Sequence, residues 1–77
     1  MNEDWAAEVV GKLHRLNITQ KELAKRCHYT PSYLSMLLNG KKTFSSEYSK
    51  KVTRNHILRT VKRLEYEVEQ RSREDNS

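Results

Sequence analysis

Two complete helix-start signals lie only eleven residues apart in this chain, at Thr19 and Thr30. At the first, Thr19 precedes Gln20 and Glu22 stands three residues later, the arrangement of a capping box. Ile18, just before the cap, is placed to pack on Leu23. At the second, Thr30 precedes Pro31, whose missing N–H costs nothing at the first helical position, and Tyr29 is placed to pack on Leu34. The interval leaves room for one short helix, about residues 19–27, and a connection from Cys27 to Thr30. Helices joined so tightly must cross steeply, and a steep crossing needs a small side chain at the contact. Ala24 supplies it. The second helix covers about residues 31–39, with Leu34, Leu37 and Leu38 as its buried face. Asn39-Gly40 closes it, Gly40 being suited to the left-handed conformation.

The rest of the chain also reads as helix. It holds one Pro and two Gly, and no stretch alternates with period two for long. Helix 1 is predicted from about Glu3 to Leu16, with Asn2 as cap, Trp5, Val9, Leu13 and Leu16 as its apolar stripe, and Asn17 as its exit. Gly11 weakens it slightly. After the loop Lys41-Lys42-Thr43-Phe44, Ser45 or Ser46 can cap the next helix. No helix breaker stands between Glu47 and about Gln70. The step from Val52 to Ile57 interrupts the apolar phase, which predicts a short helix near 46–52, a bend around Thr53-Arg54-Asn55 and a further helix to about residue 70. One long bent helix is the other option. Ser72 to Ser77 is polar and expected to fray. The chain is therefore expected to be one all-α domain of four to five helices over residues 1–71, with a tail over 72–77.

Length and charge narrow the function classes. With 77 residues, 35% of them apolar, the chain can bury only one modest core. A barrel, a doubly wound sheet or a two-domain enzyme does not fit. The longest apolar runs are two or three residues, too short for a membrane span. The acidic start Met1-Asn2-Glu3-Asp4 has no apolar stretch behind it, so no secretory signal is expected. Cys27 is alone, which excludes an internal disulfide and suggests a reducing, cytoplasmic home. The net charge of +5 is unevenly spread. Residues 41–63 hold eight basic side chains (Lys41, Lys42, Lys50, Lys51, Arg54, Arg59, Lys62 and Arg63) against Glu47 alone, whereas both ends are acidic. Concentrated positive charge suits a polyanion, although a solvated lysine-rich surface gives the same pattern.

The run Ile18-Thr19-Gln20-Lys21-Glu22-Leu23-Ala24, together with Thr30-Pro31-Ser32-Tyr33-Leu34-Ser35-Met36-Leu37-Leu38-Asn39-Gly40-Lys41, resembles the helix-turn-helix of the Cro/C1-type (XRE) repressors of phages. The resemblance covers Ile18 to about Lys42. It implies a lambda-repressor-like fold with an extended C-terminal helix, and double-stranded DNA as partner. One position departs from the pattern: the family usually has Gly where His28 stands. That site often needs positive φ, which His visits more readily than most residues.

In a helix-turn-helix the second helix enters the major groove, where base edges are distinguishable. With Leu34, Leu37 and Leu38 inward, the helical rotation of about 100° per residue turns Ser32, Met36 and Asn39 outward. Tyr33 and Ser35 flank that outer face, and base contacts are expected from Ser32, Tyr33, Ser35 and Met36. This face lacks Arg, Lys and Gln, so the bidentate guanine contact is missing and selectivity should lean on thymine methyls and DNA shape. The resemblance implies a phosphate contact for Gln20, at a helix N-terminus that already favours an anion. Lys21, Thr30, Asn39, Lys41 and Lys42 are the further phosphate candidates, and Lys25 also projects from the short helix over about residues 19–27.

Other features read more plainly. Tyr29 and Phe44 are expected in the core and Cys27 as a small buried apolar residue. His14, His28 and His56 have no metal-ligand spacing and read as surface or capping residues. No catalytic arrangement, cofactor loop or metal cluster is apparent. Val61, Leu64 and Val68, with Ile57, form a seam of two heptads. It can pack on helix 1 or be shared with a second chain as a homodimer interface on operators with half-sites about 34 Å apart. The competing reading is a protein-binding inhibitor, of antitoxin or anti-CRISPR kind, holding its partner through the acidic C-terminal end. Nonspecific architectural DNA binding is a third.

Overall fold

The computed structural model describes residues 4–75, so Asn2 as a cap and Glu3 as a helix start lie outside the described residues. The chain forms four helices: α1 Asp4–Leu16, α2 Gln20–Cys27, α3 Pro31–Leu38 and α4 Glu47–Asp75. Among the described residues, no helix is long and apolar enough to cross a membrane.

The starts are capped by side chains. Thr19 Oγ1 accepts from the Glu22 N–H at 3.1 Å, and Thr30 Oγ1 accepts from the Tyr33 N–H at 3.1 Å. Ser46, rather than Ser45, caps α4: its Oγ accepts from the Ser49 N–H at 3.0 Å. Each cap satisfies a backbone donor that the first helical turn otherwise leaves unpaired.

The ends of α1, α2 and α3 share one device. Asn17, His28 and Gly40 take left-handed φ values of 62°, 65° and 69°. Beyond each, the next N–H reaches five residues back: Ile18 to the Leu13 carbonyl at 2.9 Å, Tyr29 to Ala24 at 2.8 Å, Lys41 to Met36 at 2.9 Å. The left-handed residue itself donates to His14, Lys25 and Leu37 respectively. This is the Schellman closure, which satisfies the final carbonyls and reverses the chain. His28 therefore adopts the conformation for which the family uses Gly.

The core is drawn from all four helices. Ala6, Val9 and Leu13 of α1, Leu23, Ala24 and Cys27 of α2, Leu34, Leu37 and Leu38 of α3, and Ile57, Val61 and Leu64 of α4 are all buried. Trp5, Ile18, Tyr29, Tyr33, Phe44 and Leu58 close over them as half-buried residues. Burying one leucine is worth roughly 1.5–3 kcal/mol, a large share of the stability a small domain can hold.

The C-terminal half departs from expectation. The helix does not break at Thr53-Arg54-Asn55; α4 is one helix of 29 residues, as in the single-helix option, and runs to Asp75 rather than ending near residue 70. The apparent phase break arises because Tyr48 and Val52 are not core residues at all. They are exposed, on the outer side of α4, while the inner stripe begins at Ile57.

Polar contacts fix α4 against its neighbours. The Arg26 guanidinium of α2 grips the Glu67 carboxylate through both oxygens, Nη1 to Oε1 at 3.0 Å. Glu65 faces Lys12 at 3.5 Å and Arg15 at 3.6 Å, both on α1. His56 Nε2 meets the Cys27 carbonyl at 3.1 Å, a side chain of α4 at the last turn of α2. The hydrogen bonds and charge of Arg26 hold the Glu67 carboxyl below its ordinary range, with Arg63 and Arg71 adding to the effect.

His28→Gly should relieve the left-handed strain and raise stability by roughly 0.5–1 kcal/mol in a denaturant melt, whereas β-branched His28→Val should lower it. Because the Glu67 carboxyl is depressed in the folded chain, the contribution of its pair with Arg26 is present above the unfolded-state value and is lost as pH falls through the folded one. Glu67→Gln should therefore flatten that part of the decline in melting temperature as pH falls below the ordinary glutamate range.

Candidate nucleic-acid interface

Two short helices, each begun by a threonine and ended by a left-handed residue, leave their N-terminal turns on one exposed side. Leu34, Leu37 and Leu38 fix α3 by their burial, and the rotation of the helix then turns Ser32 and Met36 to solvent. Met36 is 42% exposed. None of the described residues occludes either side chain, so the outer side of α3 is open for docking.

Tyr33 and Ser35 are placed differently. Both are half-buried. The Tyr33 ring packs on the core and meets Tyr29 edge-on, with centroids 5.0 Å apart. Tyr29 in turn meets His56 edge-on at 5.6 Å. The Lys42 ammonium lies over the Tyr33 ring, 5.6 Å from its centre, a cation–π contact. Tyr33 is thus held in place by both neighbours. Ser35 Oγ accepts from Asn39 Nδ2 at 3.2 Å, so Ser35 and Asn39 act as one polar unit along the last turn of α3.

The phosphate candidates surround this helix. Gln20 and Lys21 are exposed on the first turn of α2; Thr30 precedes α3; Asn39, Lys41 and Lys42 are exposed at its far end. Between the starts of α2 and α3 lies an open groove of about 580 Å³, lined by Thr19, Lys21, Glu22, Lys25, Tyr29, Thr30 and Pro31. Tyr29 and Pro31 give it apolar surface, and Lys21 and Lys25 give it positive charge. Sequence reasoning assigned Tyr29 to the core, yet the ring also lines this groove. Burial raises the pKa of its phenol, so it is a neutral hydrogen-bonding group here.

The seam expected to pack on α1 or to serve a second chain faces inward over Val61 and Leu64. Val61 and Leu64 are 3% and 4% exposed, covered by the chain's own core. Val68 is half-buried over a small cleft that Leu16, Ile18, Arg26 and Glu67 also line. A spacing of four, three and four is what any helix shows when it packs on a neighbour, and here the neighbours are α1 and α2. Val61 and Leu64 are therefore not surface available to a partner copy.

Cys27 is buried, and that burial raises its thiol pKa. A thiol held neutral and covered is a packing group, not a nucleophile.

The caps that aim α3 are open to direct test. Thr30→Ala should cost about 1 kcal/mol of stability in a thermal or denaturant melt, and Thr19→Ala a similar amount. Replacement by Ser should restore most of each loss.

The sequence matches the helix-turn-helix family over residues 12–55, more than half of the chain, from the end of α1 through both short helices into α4. No curated protein and no solved structure matches it at a significant level. Sequence match, tandem caps and an open outer side on the second helix agree: the chain belongs to the Cro/C1-type (XRE) helix-turn-helix family of DNA-binding domains.

Proposed function

We propose that this chain is a sequence-specific regulator of transcription that binds double-stranded DNA with α3 in the major groove, a repressor or Cro-like switch of a phage or other mobile element. The observation that carries the reading is the exposed start of α3. Ser32 and Met36 stand clear of the core on a helix aimed by Thr30, with cations on both flanks. The family match adds the DNA-binding class.

In this reading Ser32 and Met36 meet base edges directly. Tyr33 and Ser35 contribute from the sides, Tyr33 by a ring braced on Tyr29 and Ser35 through its bond with Asn39. Met36 and the rim of Tyr33 offer apolar contact to thymine methyls, and serine hydroxyls bond several bases. Gln20, Lys21, Thr30, Asn39, Lys41 and Lys42 take phosphates, which set register without reading sequence. A homodimer on a pseudo-palindromic operator would have to meet through side chains other than Val61 and Leu64.

Selection of bound duplexes from a random pool, then salt titration, tests this. A defined site should emerge, and the Tyr33→Ala/Met36→Ala double variant should shift or flatten its base preference. Roughly six phosphate contacts predict a slope of log affinity against log salt near −5. Lys41→Ala/Lys42→Ala should weaken all sequences alike and reduce that slope by about 2. Enrichment of no site by the unaltered chain, or an unchanged preference in the double variant, would overturn the reading.

A further inference from the structure

The outer side of α4 carries a pattern that the DNA-reading surface does not use. Tyr48, Val52, Asn55, Arg59, Lys62 and Tyr66 succeed one another at spacings of four, three, four, three and four, so they form one straight stripe along the helix. The stripe lies opposite the inner residues Ile57, Val61 and Leu64, and so points away from α1 and α2. Its two ends are the most exposed large apolar side chains among the described residues, Tyr48 at 77% and Tyr66 at 61%, with Val52 at 49%. At a rise of about 1.5 Å per residue it is roughly 27 Å long.

The middle of the stripe is positive and uncompensated. The α4 carboxylates Glu65 and Glu67 turn sideways, onto Lys12 and Arg15 of α1 and onto Arg26 of α2. Among the described residues, no carboxylate pairs with Lys51, Arg59 or Lys62. Arg63, beside the stripe, has only Glu67 at 3.7 Å, already gripped by Arg26.

We propose that this face is a docking site for an acidic amphipathic helix of a partner protein, pairing side by side with α4. The heptad spacing matches a second helix, and a facing helix with apolar ends and carboxylates at its centre would meet Tyr48, Val52 and Tyr66 with side-chain contacts and Arg59 and Lys62 with charge. Another copy of this chain fits less well, because two stripes paired over Tyr48 to Tyr66 collect two Arg59 and two Lys62 in one seam, and Glu69, the carboxylate that continues the spacing, lies beyond Tyr66. Single-stranded nucleic acid fits less well also: stacking of successive bases needs aromatic rings close together, and these two stand five turns apart. The site is distinct from α3 and does not depend on the DNA-binding reading.

A synthetic peptide of about three heptads, with Leu at its terminal seam positions and Glu at the central ones, is the probe. Fluorescence anisotropy with the full chain should show binding that weakens with salt, and no binding of a version with Lys in place of Glu. Arg59→Gln/Lys62→Gln and Tyr48→Ala/Tyr66→Ala should each weaken it by about ten-fold or more, while duplex affinity stays within about three-fold. All four positions are exposed, and circular dichroism verifies that the variants remain helical. The proposal fails if the acidic peptide does not bind. It fails equally if the same substitutions cost an oligo-dT strand or a duplex ten-fold in affinity, which would make the face a nucleic-acid surface. A dimer in sedimentation that Tyr48→Ala/Tyr66→Ala abolishes would also overturn it, because the face would then belong to a second copy.

Discussion

The fold hangs on three backbone reversals. Asn17, His28 and Gly40 each enter the left-handed region, and each lets the next N–H return to a carbonyl one turn back. An eight-residue helix is too short to be stable alone, since helix nucleation is costly and propagation has little length to repay it. α2 and α3 exist because both of their ends are satisfied and because Leu23, Ala24, Leu34 and Leu38 are buried between their neighbours. Were the reversal at His28 to open, α3 would lose both its direction and its packing. The direction of α3 decides whether Ser32 and Met36 face solvent or core.

Local chemistry was legible in the sequence. Thr19, Thr30 and the Asn39-Gly40 ending act within a few residues of themselves, so identity and spacing sufficed to locate α2 and α3. Burial of Leu34, Leu37 and Leu38 came from their spacing once the helix was placed. Tertiary choices were not legible in the same way. Tyr48 and Val52 are apolar by type and looked like core, which created a phase break where the helix in fact continues. The 57, 61, 64, 68 seam has the same spacing whether it meets its own chain or another, and only the placement of α1 and α2 decides. Arg26 and Glu67 lie 41 residues apart, and no local rule joins them.

The candidate interface was partly legible for the same reason. Ser32 and Met36 emerged as outward residues from helical rotation alone. Tyr33 did not, because its half-burial depends on Tyr29 from the connection and Lys42 from the loop after α3. The aromatic run from His56 through Tyr29 to Tyr33 joins α4 to α3, and a chain of edge contacts of this kind fixes ring orientation as well as position.

Cys27 adds a practical consequence. Its sulfur is the chain's single thiol, buried in the core at the end of α2, with its backbone carbonyl met by His56 of α4. No reagent can reach it while those helices stay together. The rate at which an added disulfide probe labels this one atom therefore measures how often the body of the protein opens, a built-in clock for its breathing that needs no engineered marker.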